Sequence, residues 1–485
     1  MKNKTPLFVT AVGIILSVGI LGISLSIKNE GDTVSLVQDS SLSREEFIQE
    51  FTGVYEKDIQ KTGNIKELKM SASEGEIEIF EGQKTKIWSY NNSVPAPEIR
   101  INLGDTLKVH FTNNLPEETT IHFHGVRVPN AMDGVPGVTQ DPIQPGDTFI
   151  YEFTPKDAGT FWFHPHVNTS EQMEKGLYGV LIVEDENSKK YSQDKVWAID
   201  DWRLQNDYQV YPYFNTPHDL MHDGRWGNVI TVNGSLQQKL VAQPGERILL
   251  RLVNTSNARV YSLNFDSLEA NVVAADGMYV KRVFDANGFE LAPGNRIDVD
   301  LKIPTDARGK SFAITDTFTR NVNTLGQILV EGEKVQTSQF NYPSNQKLPE
   351  WEGAEDVPFD KEYVLNARRS ASGGMGMMGG IEWTINGKAF PDYDPFELRY
   401  GEFNKIRFTN DSYRLHPMHL HGQFFKVITR NGKRVDEPYF RDTVLVHPKE
   451  TVEIGIVPLD KGEWANHCHI LEHADSGMMT ITTVQ

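Results

Sequence analysis

The sequence predicts an all-β protein, built as three tandem Greek-key β-sandwich domains behind an N-terminal hydrophobic segment. Three observations carry that reading. A glycine, an alternating run and an asparagine recur at one nine-residue interval, in Gly104-Asp-Thr-Leu-Lys-Val-His-Phe-Thr-Asn113, Gly245-Glu-Arg-Ile-Leu-Leu-Arg-Leu-Val-Asn254 and Gly401-Glu-Phe-Asn-Lys-Ile-Arg-Phe-Thr-Asn410. A second block recurs three times as well: Gln144-Pro-Gly-Asp, Ala292-Pro-Gly-Asn and His447-Pro-Lys-Glu each open a further strand. Finally, 39 glycines and 24 prolines accompany few long helical patterns. Period-two alternation (Leu107, Val109, Phe111; Ile406, Phe408) marks half-buried strands, with a glycine turn before each. The first-block glycines lie 141 and 156 residues apart, room for one sandwich each.

Taken in order, residues 1–28 are a signal peptide or membrane anchor. Lys2 and Lys4 precede an uncharged run from Pro6 to Ile27, and Lys28 ends it. At about 1.5 Å per residue that run makes roughly 33 Å of helix, enough to span a hydrocarbon core. No Ala-x-Ala cleavage site and no lipid-anchor cysteine follow, which favours an uncleaved anchor over a cleaved signal. Either one exports the body of the protein, to be membrane-anchored at the extracellular face or secreted. Residues 29–63 read as a polar spacer with a short helix at Ser43–Phe51. The three sandwiches then occupy 64–186, 187–336 and 361–485, with a proline-containing linker at 337–360.

Composition excludes several classes of function. Forty-eight basic against 66 acidic residues leave a net charge of −18, with no electrostatic footprint for nucleic acid. A single cysteine, Cys468, rules out an internal disulfide and any multi-cysteine zinc or iron–sulfur site. The 14 histidines carry the information, because ten of them fall into four clusters.

Those clusters sit in two of the three copies. The first copy holds His122-Phe-His124-Gly125 and His164-Pro165-His166; the third holds His416-Pro-Met-His419-Leu-His421-Gly422 and His467-Cys468-His469-Ile-Leu-Glu-His473, then Met478. Gly159 precedes His164 by five residues as Gly462 precedes His467, so Pro165 aligns with Cys468. In a strand, side chains at i and i+2 share a face and the residue between points the other way. His467 and His469 therefore look out of the third sandwich while Cys468 looks into it. The pairs His122/His124, His164/His166 and His419/His421 likewise each offer two imidazoles on one face. Eight such histidines can close around a metal cluster between copies one and three. Cys468, His416, His473 and Met478 remain: one thiolate, two imidazoles and a weak thioether, the donor set of a blue-copper electron-transfer site. Singly, His-x-His-Gly or His-Pro-His is also what a packed strand end or a turn would show. Four clusters at equivalent points of two repeats are not explained by packing. His110, His218, His222 and His447 default to surface or core roles.

As a set, these four motifs resemble the copper signatures of the three-domain multicopper oxidases, over residues from about 65 to 485. The resemblance implies cupredoxin-like sandwiches and four coppers per chain. It implies that Cys468, His416 and His473 bind type 1 copper with Met478 axial, and that His122 and His419 bind type 2 copper. His124, His164 and His469 match one type 3 copper; His166, His421 and His467 match the other. It further implies one-electron oxidation of a small reducing substrate, a phenolic or aromatic compound or cuprous ion, coupled to four-electron reduction of dioxygen to water, with a place in copper homeostasis. The chain is expected to work as a monomer, touching the membrane only through its N-terminal segment.

Protons are needed too. Asp133, nine residues after His124, matches an acidic position that serves proton delivery in related enzymes, although Met132-Asp133-Gly134 is equally a good turn. Many bacterial relatives carry an acid directly after the histidine equivalent to His473; here it is Ala474, leaving Asp475 or Glu472 as substitutes. Ahead of the third sandwich, Gly373-Gly-Met375-Gly-Met377-Met378-Gly-Gly380 offers soft thioethers for cuprous ion, or a flexible apolar loop over an aromatic substrate. Two alternatives belong to other classes: an exported copper-storage protein without turnover, and a copper nitrite reductase. The first has no use for a cluster wired through Cys468; the second usually lacks the eight-histidine set.

Overall fold

The structure is a computed structural model, and it describes residues 58–336, 340–345, 348, 353–370 and 380–485. The hydrophobic run from Pro6 to Ile27, the helix expected at Ser43–Phe51 and the methionines Met375, Met377 and Met378 lie outside the described residues. Among the described residues, no helix is long and apolar enough to cross a membrane.

Among the described residues, six sheets pair into three sandwiches, and the apolar core of the first runs on to Phe403, Phe424 and Phe440 of the third. In the first, Gln83–Tyr90, Ile65–Phe80, Thr106–Asn113 and Thr148–Phe153 form one sheet. Ile99–Asn102, Gly179–Glu184, Gly159–His164 and His122–His124 form the other. The third sandwich repeats that plan, with His416–Leu420 beside Gly462–Cys468 in its smaller sheet. In the second, the strand in the matching place is Tyr261–Asn264, beside Ser311–Asp316. Tyr261 and Leu263 there point into the core, so this copy keeps the frame without the imidazoles. The sheets are mixed: Ile65–Phe80 runs parallel to Thr106–Asn113, as Lys361–Arg369 does to Asn404–Asn410.

The repeated blocks have a physical reason. Gly104, Gly245 and Gly401 all adopt positive φ (90°, 84° and 71°), a conformation that glycine reaches without a Cβ clash. Along Thr106–Asn113 buried and half-exposed residues alternate, as the period of two requires. Each asparagine then clamps the exit of its strand. Asn113 Nδ2 donates to the carbonyls of Glu117 and Ile143, both at 2.8 Å, while its Oδ1 accepts from Leu115 N. Asn254 does the same with Arg259, Leu291 and Ser256, and Asn410 with Arg414, His447 and Ser412. One buried amide thus ties the loop after its own strand to the turn of the second block. In the first and third sandwiches, that loop leads into a histidine strand.

Candidate metal centre

Strand register places the eight paired histidines. His122 lies opposite His164 across one antiparallel pair, and His419 opposite His467 across the other. The two pairs meet face to face between the first and third sandwiches. His122 stacks on His421 with ring centroids 3.8 Å apart, and His124 on His419 at 3.7 Å. Donor atoms gather in overlapping sets, each within 4.8 Å: His122, His124 and His419; His124, His164 and His469; His166, His421 and His467. All are buried except His166, which is half-buried.

In four of the rings a backbone carbonyl fixes which nitrogen faces the cluster. His122 Nδ1 donates to the Asp133 carbonyl (2.8 Å), His164 Nδ1 to the Pro165 carbonyl (2.8 Å), His419 Nδ1 to the Asp442 carbonyl (3.0 Å) and His467 Nδ1 to the Cys468 carbonyl (2.9 Å). The opposite nitrogens of His122, His164 and His419 are buried with no hydrogen-bond partner, as are Nδ1 of His124 and both ring nitrogens of His469. Buried polar atoms are rarely left bare. A bare imidazole nitrogen whose partner nitrogen is anchored outward is what a metal ligand looks like, so His122, His124, His164 and His419 fit copper, and His469 adds two bare nitrogens beside them. Pro165 and Cys468 also become equivalent here: each lends its carbonyl to the preceding histidine, leaving its side chain free to differ.

Parity splits the His416–Leu420 strand between two sites. His419 faces the cluster, whereas His416 and Met418 face into the sandwich, where Met418 sits opposite Cys468. Cys468 Sγ lies 3.6 Å from His416 Nδ1 and 3.8 Å from His473 Nδ1, and the two nitrogens are 3.3 Å apart. Ser412 Oγ holds the far nitrogen of His416 at 2.9 Å, and His473 Nε2 donates to the His222 carbonyl at 2.9 Å. Met478 is fully buried, its carbonyl accepting from Cys468 N and its N–H donating to the His473 carbonyl.

Asp133 is fully buried against the cluster, its Oδ2 accepting from His421 Nδ1 at 2.8 Å and its Oδ1 3.3 Å from His122 Nδ1. Burial pushes its carboxyl above the usual range, and the His122 contact offsets this in part. Glu472 is buried and Asp475 is exposed, and both are occupied: Glu472 accepts from Arg225 N and Asn257 Nδ2, Asp475 from Ser170 N.

Sequence reasoning missed the contribution of the ligand-free second sandwich. Asp442 Oδ1 sits 3.1 Å from His124 Nε2 and accepts from Arg296 Nη1, at 2.9 Å, and from Thr443 Oγ1. Asp276 in turn accepts from the backbone N–H groups of Arg296, Asp442 and Thr443. A Cβ on Gly125, at φ +79°, would fall 2.2 Å from Arg296 Nη2 and 2.5 Å from Asp442 Oδ2. The glycine of His122-Phe-His124-Gly125 therefore makes room for this ion pair. Gly294, in the second sandwich's Ala292-Pro-Gly-Asn turn, abuts the imidazoles themselves: its Cβ would lie 2.9 Å from His124 and 3.0 Å from His469.

Burial, reinforced by neighbouring imidazoles, pushes His124, His164, His166, His419, His421 and His469 well below the ordinary 6.5. Burial takes His467 to about 4 and His473 to about 3. In the metal-free chain they are neutral, with lone pairs available. The same burial pushes the Cys468 thiol up, so metal must displace its proton. Because the folded values lie below the unfolded ones, the unfolded chain takes up protons first as pH falls. Stability of the metal-free protein should therefore fall from about pH 6.5 downward, through about 4 for His467. A melting temperature that stays flat from pH 6.5 to about 4 would contradict the buried neutral cluster.

Comparison with known proteins agrees with this geometry. Family models described as multicopper oxidase match residues 71–188, 193–334 and 361–485, most of the chain. The chain belongs to the multicopper oxidase family: it is an oxygen-using oxidase with copper as its cofactor. It is 31% identical to a multicopper oxidase of Pseudomonas parafulva of known structure, covering 86% of this chain and 100% of that one with a TM-score of 0.73. A Campylobacter jejuni multicopper oxidase described as a metallo-oxidase is 28% identical, over 89% of this chain and 93% of that one, with a TM-score of 0.73. A Staphylococcus aureus multicopper oxidase is 28% identical over 84% of this chain and 86% of its own.

Proposed function

We propose that this enzyme takes electrons singly from a small donor, cuprous ion or a phenolic or aromatic compound, and uses four of them to reduce dioxygen to water. The observation that carries the proposal is the wiring around Cys468. Its thiol faces His416 and His473, while its backbone neighbours His467 and His469 belong to two different triads of the imidazole cluster. In this reading Cys468, His416, His473 and Met478 hold type 1 copper, and His122 and His419 hold type 2. His124, His164 and His469 hold one type 3 copper, and His166, His421 and His467 the other. When bound, copper supplies the one-electron chemistry and the dioxygen reduction.

The protein's own groups do the rest. Backbone carbonyls set the tautomers, and Asp442 and Arg296 fix His124. Asp133 touches His421 and His122 and is the group placed to hold and pass a proton beside them. Asp133→Asn should keep the blue colour but slow oxygen reduction by roughly 10–100-fold, the usual cost of losing such a partner. Oxygen uptake followed at an electrode checks this, and unchanged turnover would remove Asp133 from the mechanism. Pro6–Ile27 supports an exported, membrane-anchored or secreted enzyme, and an Escherichia coli relative described as copper resistance protein A, 24% identical over 83% of this chain, supports a part in copper homeostasis.

A further inference from the structure

We infer that Ser412 is a positioning residue of the Cys468 site: its hydroxyl fixes the tautomer of His416 and, through that imidazole, holds down the reduction potential of the copper bound there. The inference rests on the type 1 reading above and names a side chain that tunes that site. Asn410, Ser412 and His416 are all buried. A hydroxyl has one proton to give and two lone pairs to receive, so its surroundings decide the direction of each bond. Asn410 Nδ2 donates to the carbonyls of Arg414, at 2.7 Å, and His447, at 2.9 Å, which leaves Oδ1 as the acceptor. Ser412 Oγ lies 2.7 Å from that Oδ1 and gives its proton there, in preference to the Arg414 carbonyl at 3.4 Å. The lone pairs of Oγ then meet the Arg414 N–H at 3.1 Å and His416 Nε2 at 2.9 Å. With no proton left to offer, the serine can only accept from His416. The imidazole therefore carries its proton on Nε2, and Nδ1 is the lone-pair nitrogen, 3.6 Å from Cys468 Sγ.

The repeats separate this relay from the clamp that precedes it. In the first sandwich Leu115 stands two residues after the asparagine, and only its N–H meets Asn113 Oδ1. In the second, Ser256 takes that place, and its hydroxyl ends on Tyr261 Oη at 2.8 Å, in the strand that matches His416–Leu420. The third sandwich alone joins the clamp to an imidazole of the Cys468 site. His473 differs from His416 in the same respect: its Nε2 donates to a backbone carbonyl, that of His222, whereas the support of His416 depends on one side chain. An acceptor on Nε2–H raises the basicity of the ligating nitrogen, and the bond onward to Asn410 polarises the hydroxyl and strengthens it as an acceptor. A more basic imidazole favours Cu(II) over Cu(I), which lowers the potential.

Ser412→Val and Ser412→Thr have nearly one shape and differ by the hydroxyl, so comparing them isolates the hydrogen bond from packing. Ser256→Val removes the corresponding hydroxyl where no ligand depends on it. The copper-loaded full chains are titrated with redox dyes of known potential while the blue absorption is followed. In Ser412→Val the preference of the site for Cu(II) over Cu(I) should fall about tenfold, a rise of about 59 mV for a one-electron couple. Ser412→Thr and Ser256→Val should keep the unaltered potential, whatever they lose in melting temperature. Loss of the blue copper from the valine variant with its retention in the threonine variant would support the inference in its strongest form. Equal potentials in Ser412→Val and Ser412→Thr, or an equal rise in Ser256→Val, would overturn it. An unaltered holoenzyme without a blue band would overturn the type 1 reading and this inference together, so the two failures are distinguishable.

Discussion

Cys468→Ser should give a colourless protein that retains the imidazole cluster and its metal but loses turnover with every one-electron donor. The thiolate is the group that makes a copper site blue, and this chain has one cysteine, so no neighbour can replace it. The loss should exceed the roughly 10–100-fold that removing a supporting partner costs, because the residue itself joins the two sites. His467 and His469 keep their backbone positions in the serine variant. His467 Nδ1 still finds the residue-468 carbonyl, and His469 N still finds the Pro417 carbonyl at 2.6 Å. Copper counting together with oxygen uptake checks this. A serine variant that remained blue, or turned over as before, would break the link between Cys468 and electron delivery.

Gly294→Val should damage the cluster from a sandwich that holds none of its ligands. The residue sits at φ +88°, where a β-branched side chain is strained, and its Cβ would arrive 2.9 Å from one imidazole and 3.0 Å from another. His124 cannot yield freely, because Asp442 and the stacked His419 ring hold it. We expect a destabilisation of about 1–3 kcal/mol from overpacking. Copper held by the His124, His164 and His469 set should fall, with oxygen reduction lowered by roughly 10–100-fold. The blue colour should persist, since the Cys468 set is built from other residues. Normal copper content and normal oxygen uptake in this variant would show that the second sandwich does not shape the cluster.

The two variants also mark what the amino-acid sequence could and could not reveal. Strand parity is simple enough that the facing of His122/His124 and of His467-Cys468-His469, including the opposite facing of Cys468, was legible residue by residue. The repeated asparagines were legible as a pattern, though their clamping role needed the carbonyl partners to be seen. Asp442, Arg296 and Asp276 were not legible: they are common residues in ordinary strands and turns, and their meaning lies in contacts that span sandwiches. Gly294 was read as part of a block that opens a strand, but such a block does not say what it leans against. The support of His473 by the His222 carbonyl was not legible for the same reason, because it is made by backbone 251 residues away.

Purification in the presence of copper, followed by metal counting and a visible spectrum, tests the central claim most directly. The account predicts about four coppers per chain, an intense blue band that vanishes on reduction, and its return as dissolved oxygen is consumed. A fully metallated preparation that stayed colourless, or one that left oxygen untouched in the presence of a reductant, would contradict it.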